Sequence, residues 1–407
     1  MRVLMFGWEF PPYSSGGLGT ACEGIVKGLS NKGIEIIFVA PKTPKSSEKI
    51  KFISAFDNVT FKHIPSLISS PYMTEEDYKK EIISISSEKR QTIYGRNLFH
   101  EVYLFSERAK QIAKKEKFDI IHAHDWLTFK AGIKAKEISK KPLVIHVHAT
   151  EFDRTGGNGI NPYVYDIEKE GMQKADKIIA VSNYTKNIIV SKYGIDPEKV
   201  EVAHNAVDFT KKEFKDAKIG CFDKIVLFLG RITLQKGPDY FIYAAKRVID
   251  VYPNAKFVVV GSGDMEPFII EKAAELGIAD KVLFAGFLQG EDVDRAYQMA
   301  DVYVMPSVSE PFGITPLEAL KNNVPVIISK QSGVSEVLHH ALKVDFWDID
   351  ELANKIISTL RFSELRDELR QNGINDVRKL SWDITAEKCI GVYNKVNEIY
   401  NKSMEGY

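Results

Sequence analysis

Short apolar runs recur along the chain, and each is followed by a turn rich in glycine or polar residues and then by a helical pattern. Continuous apolar runs of this length are typical of parallel strands that are buried on both faces. Their repeated alternation with helices predicts doubly wound α/β structure. The predicted strands are 2–6, 34–40, 118–122, 143–147, 177–181, 200–203, 224–229, 256–260, 282–285, 300–304 and 325–329.

Two segments interrupt this alternation. Residues 43–94 are polar and irregular, with one short β-like piece at 59–64 and a turn at 70–77 that leads into a polar helix. Long irregular segments of α/β domains often form binding excursions, although a solvated surface insertion fits the same pattern. Residues 208–222 are charged and irregular, which predicts a linker between two domains. A last helix is predicted over 384–400.

The stretch MPSVSEPFGITPLEAL, residues 305–320, follows a predicted strand and contains the clearest chemical signal. Thr315 and Glu318 have the spacing of a capping box at a helix start. A strand, a tight loop and a helix N-terminus direct free backbone N–H groups toward an anion. Glu310 and Glu318 flank this corner with seven residues between them. Taken alone, Glu318 could serve the capping box and Glu310 could be an exposed loop acid.

Polar residues also fall at or after the ends of the predicted strands, and the carboxyl edge of an open parallel sheet is where ligands bind. A glycine there lets the backbone approach a bulky ligand, because it has no Cβ. A strand-end histidine commonly just hydrogen-bonds a neighbouring backbone carbonyl, so both interpretations stay open for these rings. The residues are Glu9, Gly16, Gly17, His122, His124, Asp125, His146, His148 and Asn205.

Two cations follow the strand at 224–229, in the pairs Gly230-Arg231 and Lys236-Gly237. They lie at the predicted ligand-binding edge, where fixed positive charges suit an anionic ligand. A solvated loop in a chain with this much charge would have a similar composition.

Composition narrows the class of protein. The 407 residues are too many for one ordinary core, which again indicates two domains. Lys+Arg and Asp+Glu both number 55, a balance that gives no support to wholesale binding of nucleic acid. The cysteines, at 22, 221 and 389, have no metal-ligand spacing and indicate a reducing compartment. Without a signal peptide or a long apolar run, the protein is expected in the cytoplasm.

The pattern Glu-Pro-Phe-Gly-x-Thr-x-x-Glu, from Glu310 to Glu318, resembles the paired-acid signature of retaining GT-B glycosyltransferases. Glu9-Phe-Pro-Pro with the later Gly-Gly-Leu-Gly, His-Ala-His-Asp-Trp ending at Trp126, and Thr-Glu-Phe-Asp-Arg ending at Arg154 are similar to glycogen and starch synthases. One departure is Ser14, where bacterial glycogen synthases have a lysine two residues before the glycine pair. This residue bears on the choice between ADP-glucose and UDP-glucose.

The resemblance implies an α/β, GT-B architecture: two Rossmann-like domains that face each other across a cleft. It implies an acceptor-side domain over 1–207, a domain that binds the nucleotide sugar over 208–385, and a helix over 386–407 that crosses back to the first domain. A helix that merely finishes the second domain is the alternative for this tail. The segment 43–94 would then face the acceptor.

The resemblance also implies roles for single residues. His148 would contact the transferred sugar, Arg231 and Lys236 would clamp the donor diphosphate, Glu310 would act beside the reacting sugar, and Glu318 would accept from the ribose hydroxyls. Glu9 and Asp125 would lie on the acceptor side. The remaining donor-binding residues would be Gly16, Gly17, Asn205, Gly230, Phe312, Gly313, Ile314 and Thr315.

The expected reaction is transfer of a glucosyl unit from ADP- or UDP-glucose to an α-glucan. The chain has no Asp-x-Asp cluster but offers fixed cations and backbone dipoles, so neither a metal nor another cofactor is expected. A sucrose-phosphate- or trehalose-type transferase to a small sugar, or a non-catalytic sugar-binding protein of the same fold, are the alternatives. The latter would be expected to lose Glu310, Arg231 or Lys236.

Overall fold

The structure is a computed structural model, and it describes residues 1–13, 16–42, 58–68, 73–84, 96–209 and 223–405. Ser14, most of the predicted linker, Cys221 and much of the segment 43–94 lie outside the described residues. The two pieces predicted within that segment are present, as the strand Val59–His63 and the helix Glu75–Ile83.

The strands agree with the predicted apolar runs to within two residues at each end. One further strand, β13, was not predicted because it has three residues and no continuous apolar run. The strands are β1 (Arg2–Phe6), β2 (Glu35–Ala40), β3 (Val59–His63), β4 (Ile120–His124), β5 (Leu143–Val147), β6 (Lys177–Ala180), β7 (Val200–Val202), β8 (Lys224–Leu229), β9 (Ala255–Val260), β10 (Val282–Gly286), β11 (Val302–Met305), β12 (Val326–Ser329) and β13 (Leu342–Val344).

Helices follow most of these strands, and several begin at side chains that cap them. Asn97 accepts from the amide of His100, and Ser182 from that of Thr185. The helices are α1 (Gly17–Asn31), α2 (Glu75–Ile83), α3 (Leu98–Lys115), α4 (Trp126–Ser139), α5 (Glu151–Arg154), α6 (Pro162–Lys174), α7 (Asn183–Tyr193), α8 (Pro238–Val251), α9 (Glu266–Glu275), α10 (Glu291–Met299), α11 (Thr315–Lys321), α12 (Ile349–Arg361), α13 (Ser363–Arg378) and α14 (Trp382–Glu405).

The strands form two separate parallel sheets, which confirms the predicted α/β class. The first sheet has seven strands in the order β3-β2-β1-β4-β5-β6-β7. The second has six strands in the order β10-β9-β8-β11-β12-β13. In both, the order reverses next to the first strand of the sheet, and ligands bind at such switch points in doubly wound folds.

The chain divides into two compact units. The first contains the described residues of Met1–Glu151, Ile160–Asn205 and Trp382–Tyr407, and the second those of Phe152–Gly159 and Ala206–Ser381. The segment after β5 therefore groups partly with the second sheet, and the C-terminal helix α14 groups with the first.

Helix α14 packs on α1, which confirms the predicted return of the tail to the N-terminal part. A Cβ on Gly24 of α1 would lie 2.1 Å from the Trp382 ring, so the two helices approach as closely as glycine allows. Lys32 and Glu387 form an ion pair at 2.7 Å, and Thr385 donates to the carbonyl of His204 at 2.6 Å. The helix begins at Trp382, two residues before the predicted start, and continues beyond Tyr400.

The second unit has its own apolar core beneath the sheet. Val226 and Phe228 of β8 pack with Phe241 of α8, Phe257 of β9 and Ile356 of α12, all of them buried. Burial of this apolar surface is the main favourable term in folding such a layer. The polar side chains considered next project from the carboxyl ends of these strands.

Candidate active site

The loop between β11 and α11 in the second unit carries Glu310, and its backbone is fixed on both sides. The Glu310 amide donates to the carbonyl of Gln331 at 2.9 Å, and the Glu310 carbonyl accepts from the amide of Gly333, also at 2.9 Å. The expected exposed loop acid is therefore wrong, because Glu310 is buried.

The Glu310 carboxylate forms an ion pair with Lys236. Ser307 donates a further hydrogen bond to the same carboxylate oxygen at 3.3 Å. Lys236 ends a short 3-10 helix, and Gly237 follows with φ of 62°. A Cβ on Gly237 would lie 2.3 Å from the carbonyl oxygen of Pro306, so glycine lets this loop reach the loop after β11. Two residues that are 74 positions apart are thus brought into contact.

Arg231 lies after β8, next to Gly230. Its guanidinium donates to the side-chain oxygen of Gln235 at 2.9 Å, which holds it on the same loop as Lys236. The structure therefore places both predicted cations at the carboxyl end of β8, while their proposed contact with a diphosphate stays a prediction.

Glu318, in α11, accepts a hydrogen bond from the buried hydroxyl of Tyr297 at 3.0 Å. Burial raises the pKa of the Glu318 carboxyl above its ordinary value, although the Tyr297 hydrogen bond opposes this shift. Tyr297 belongs to α10, so two neighbouring helices fix the orientation of this carboxylate.

The predicted capping box at Thr315 and Glu318 is wrong. The N-cap of α11 is Ile314, which has no side-chain hydrogen bond of the capping type, and Thr315 is the first helical residue. The Thr315 hydroxyl instead accepts from Tyr303 at 2.8 Å. The adjoining Phe312 and Gly313 are buried in the preceding turn. A threonine before a proline resembles a capping sequence. Here the Thr315 hydroxyl bonds Tyr303 and does not cap the helix.

In the first unit, Asp125 and His148 meet at the carboxyl ends of β4 and β5. One Asp125 carboxylate oxygen accepts from the backbone amides of His148 at 2.7 Å and Ala149 at 3.3 Å. Asp125 has φ of 57°, a conformation that side chains rarely adopt. Asp125 therefore fixes the turn that carries His148, and its predicted place on the acceptor side remains a prediction.

The rings of His122, His124, His146 and His148 lie together on one face of the first sheet. None of their ring nitrogens bonds a backbone carbonyl within the described part of the chain, so that interpretation of the strand-end histidines is wrong. Burial lowers the pKa of His122 and of His148 to about 3. Burial and the neighbouring rings hold the pKa of His124 and of His146 well below the usual value. All four rings are neutral near pH 7.

The remaining predicted residues of the first unit lie around β1 and β7. Gly16 is the N-cap of α1 and Gly17 its first residue, and a Cβ on either would meet no atom of the described chain within 4 Å. Glu9 is buried, and its charge helps to raise the pKa of the Cys22 thiol after burial and Asp125. Asn205 is buried, and its side-chain oxygen has no partner among the described residues.

Sequence reasoning missed the side chains that orient the predicted ones. Tyr297, Tyr303 and Ser307 contact Glu318, Thr315 and Glu310 from other turns and elements. Gln235 could have been proposed from the sequence, since it directly precedes the predicted cation Lys236. The tyrosines had none, because apolar neighbours make them look like ordinary core residues.

Among the described helices, none is long and apolar enough to cross a membrane.

Two family models match the chain and together cover most of it. The model described as Glycosyltransferase Family 4 matches residues 15–211, and the one described as Glycosyl transferases group 1 matches residues 209–376. A protein described as an uncharacterized glycosyltransferase from Methanocaldococcus jannaschii is 30% identical over 99% of this chain and 100% of its own length. A glycogen synthase from Mycobacterium tuberculosis is 24% identical over 83% of this chain and 80% of its own.

Solved structures share the architecture. Sucrose-phosphate synthase from Thermosynechococcus elongatus has a TM-score of 0.78 and 20% identity, covering 97% of this chain and 98% of that one. The Anabaena protein HepE in complex with UDP-glucose has a TM-score of 0.69 and 16% identity, with both chains covered completely. At these identities the likeness establishes the fold.

Two parallel Rossmann-like sheets of this kind define the GT-B class of α/β enzymes. The full-length match at 30% identity and the two family models give the membership: the chain belongs to the GT-B glycosyltransferases.

Proposed function

We propose that this enzyme is a retaining, glycogen synthase-like hexosyltransferase that moves a glucosyl unit from ADP- or UDP-glucose to an α-glucan. The observation that supports this best is the ion pair between the partly buried Lys236 and the buried Glu310, with Arg231 on the same loop as Lys236. The pair presents a cation for a departing diphosphate and a carboxylate for the sugar at one edge of the second sheet. The full-length glycosyltransferase relative and the similarity to a glycogen synthase support the same proposal.

In this mechanism, Arg231 and Lys236 stabilise the negative charge that develops on the leaving diphosphate. Both are tied to neighbouring side chains, so they need little reorganisation during the reaction, and preorganised charges are the effective ones. Glu310 lies beside the reacting sugar and stabilises its developing positive charge. Glu318, oriented by Tyr297, accepts from the ribose hydroxyls, and His148 contacts the transferred sugar. Since these charges take the place of a divalent ion, transfer is proposed to be metal-independent.

The donor proposal is compatible with the HepE complex, whose fold this chain shares and which contains UDP-glucose. The choice between uridine and adenine, the α-glucan acceptor, retention of configuration and a cytoplasmic location all belong to the proposal. Two buried free cysteines, Cys22 and Cys389, are compatible with that location.

A single assay tests the proposal. Purified protein is incubated with ADP-glucose or UDP-glucose, with and without glycogen, and the released nucleoside diphosphate is measured. Release should depend on the glucan, and the anomeric configuration of the new linkage, read by NMR, should match that of the donor. Fructose 6-phosphate and glucose 6-phosphate serve as small acceptors in parallel. If they alone support release, the enzyme is a small-sugar transferase, and if no combination does, the proposed function is wrong.

A further inference from the structure

Three fully buried histidines form a cluster that the proposed sugar transfer does not use. His122 and His124 belong to β4 and His146 to β5, and the sheet register pairs His124 directly with His146. Residues two apart on a strand project from the same face, so the three rings share one side of the first sheet. Each is 0% exposed.

The hydrogen bonds of this cluster leave nitrogen atoms without partners. Nδ1 of His122 lies 2.6 Å from the Tyr393 hydroxyl, and Nδ1 of His124 lies 2.9 Å from Nε2 of His148. Within the described residues, Nε2 of His122, Nε2 of His124 and both ring nitrogens of His146 have no hydrogen-bond partner. Buried polar atoms are nearly always satisfied, so four such atoms in one cluster indicate a ligand that binds nitrogen.

The geometry suits a single ion. One ring nitrogen from each of His122, His124 and His146 lies within 4.8 Å of those of the other two. Their ring centroids are 4.2, 5.4 and 5.3 Å apart. Imidazoles bound to one tetrahedral ion through nitrogens about 2.0–2.1 Å from it have their ring centroids roughly 5 Å apart. One ring nitrogen of each residue therefore lies close enough to the other two for all three to share one ion.

The partners of the other ring nitrogens favour the same conclusion. Histidines that bind metals usually use their second nitrogen in a hydrogen bond, which fixes the ring and the tautomer. The Tyr393 hydroxyl can do this for His122, and the His148 ring for His124. In both residues this leaves Nε2 for the ion. Imidazole nitrogen is a ligand for transition metals such as zinc rather than for magnesium or calcium.

We propose that His122, His124 and His146 bind one divalent transition-metal ion of the zinc type inside the first unit. Three histidines leave one tetrahedral position, which a water molecule would fill. His148 orients the ligand His124 but is not itself a ligand. In this proposal the ion stabilises the fold of the sheet and does not contact the sugar. Cys22 is also close, since its sulfur lies within 4.8 Å of ring nitrogens of His124 and His148. That set of three residues shares only His124 with the proposed ligands, so Cys22 is not included among them.

The test uses the whole protein and zinc itself. Protein from a zinc-supplemented culture should contain about one zinc per chain by elemental analysis, and added zinc should raise the melting temperature of chelator-treated protein. His146→Gln should weaken zinc binding by more than about tenfold. His63→Gln, which changes an exposed histidine of β3, should leave the stoichiometry unchanged.

A second measurement works on the unaltered chain and so does not depend on the folding of a variant. Cobalt substituted for zinc should give the visible spectrum of a tetrahedral nitrogen site without a sulfur charge-transfer band. A sulfur band would place Cys22 in the site and overturn the three-histidine ligand set. Less than about one tenth of an equivalent of zinc with no melting shift, or equal zinc in His146→Gln, would overturn the metal site itself.

Discussion

The histidine cluster of β4 and β5 in the first unit and the ion pair of the loop after β11 in the second both bury polar side chains, but they differ in charge. In the first unit the four histidine rings are neutral, and burial lowers the pKa of His122 and His148 to about 3. In the second unit, Glu310 is buried as one half of an ion pair with Lys236.

This difference in charge predicts how the stability of each region responds to substitution. A neutral ring or amide that loses a partner costs about 1–3 kcal/mol, the desolvation of one polar group. A buried charge that loses its counter-ion costs about 3–5 kcal/mol, because the remaining charge is uncompensated. We therefore expect the second region to be the more sensitive to removal of a single side chain. Because the donor is proposed to bind in that second region, we expect turnover also to be more sensitive to substitutions there than in the first region.

Lys236→Ala should have the largest effect. The change leaves Glu310 buried without its cation, so the free energy of unfolding should fall by about 3–5 kcal/mol in urea-induced unfolding. Turnover should fall on the order of a hundredfold, because the leaving diphosphate loses about 3 kcal/mol of stabilisation. Release of nucleoside diphosphate measures the second quantity.

Two control variants separate these effects. Lys246→Ala breaks the exposed pair with Asp250 in α8, which should cost at most about 0.5 kcal/mol and leave turnover unchanged. The double variant Lys236→Met with Glu310→Gln should recover stability but not activity, since a neutral pair replaces the charged one. Wild-type turnover in Lys236→Ala would contradict the assignment of this lysine.

Asp125→Ala should have the next largest effect and tests the first unit. It removes the acceptor of two backbone amides and puts alanine at φ of 57°, so stability should fall by about 1–3 kcal/mol. Turnover should fall by about tenfold because the turn that carries His148 is loosened. Asp125→Asn keeps an acceptor oxygen and tolerates positive φ. If Asn and Ala variants behave alike, the amide contacts do not explain the role of Asp125.

Glu318→Gln should raise donor KM roughly tenfold or more, since hydrogen bonds to a charged acceptor contribute about 1.5–3 kcal/mol. Its effect on stability depends on pH. The folded pKa of Glu318 is raised, so the carboxyl loses stabilising free energy as pH rises from its unfolded pKa to its folded pKa. The variant should thus match wild type at low pH and gain relative to it above that window. If the variant instead becomes less stable relative to wild type as pH rises through this window, the sign of the Glu318 contribution is contradicted.

Chelation should have the smallest effect. At a temperature where the chelator-treated protein stays folded, excess EDTA should leave turnover unchanged, because the cations Arg231 and Lys236 are proposed to replace a divalent ion at the diphosphate. The same rate should be measured with and without added Mg²⁺. Loss of activity on chelation, with rescue by Mg²⁺ or Mn²⁺, would contradict metal-independent transfer.

The fold was predictable to a large extent because parallel strands buried on both faces have a local signature. The apolar run KIVLFL predicts both ends of β8 correctly, and Asn97 is the N-cap of α3, at the predicted start of that helix. His124 was expected just after a strand but lies within β4, since a histidine among neutral buried rings does not interrupt a strand.

The candidate site was less predictable, because its contacts join distant positions. The identity of Glu310 and Lys236 could be read from motifs, but their pairing across 74 residues could not. Glu318 looked like a capping residue, and the Tyr297 hydroxyl that binds it comes from another helix. Such contacts depend on which helices pack side by side, and single-sequence patterns do not contain that information.

The most direct test of the central claim is the Glu310→Gln variant, measured for donor affinity and for turnover together. The substitution keeps the size of the side chain but removes its negative charge beside the reacting sugar. We predict that kcat falls much further than donor affinity does, because the lost interaction acts in the transition state. Glu271→Gln, at an exposed position of α9, should behave as wild type in both. Wild-type turnover in Glu310→Gln would contradict the account of this chain as a transferase built around that carboxylate.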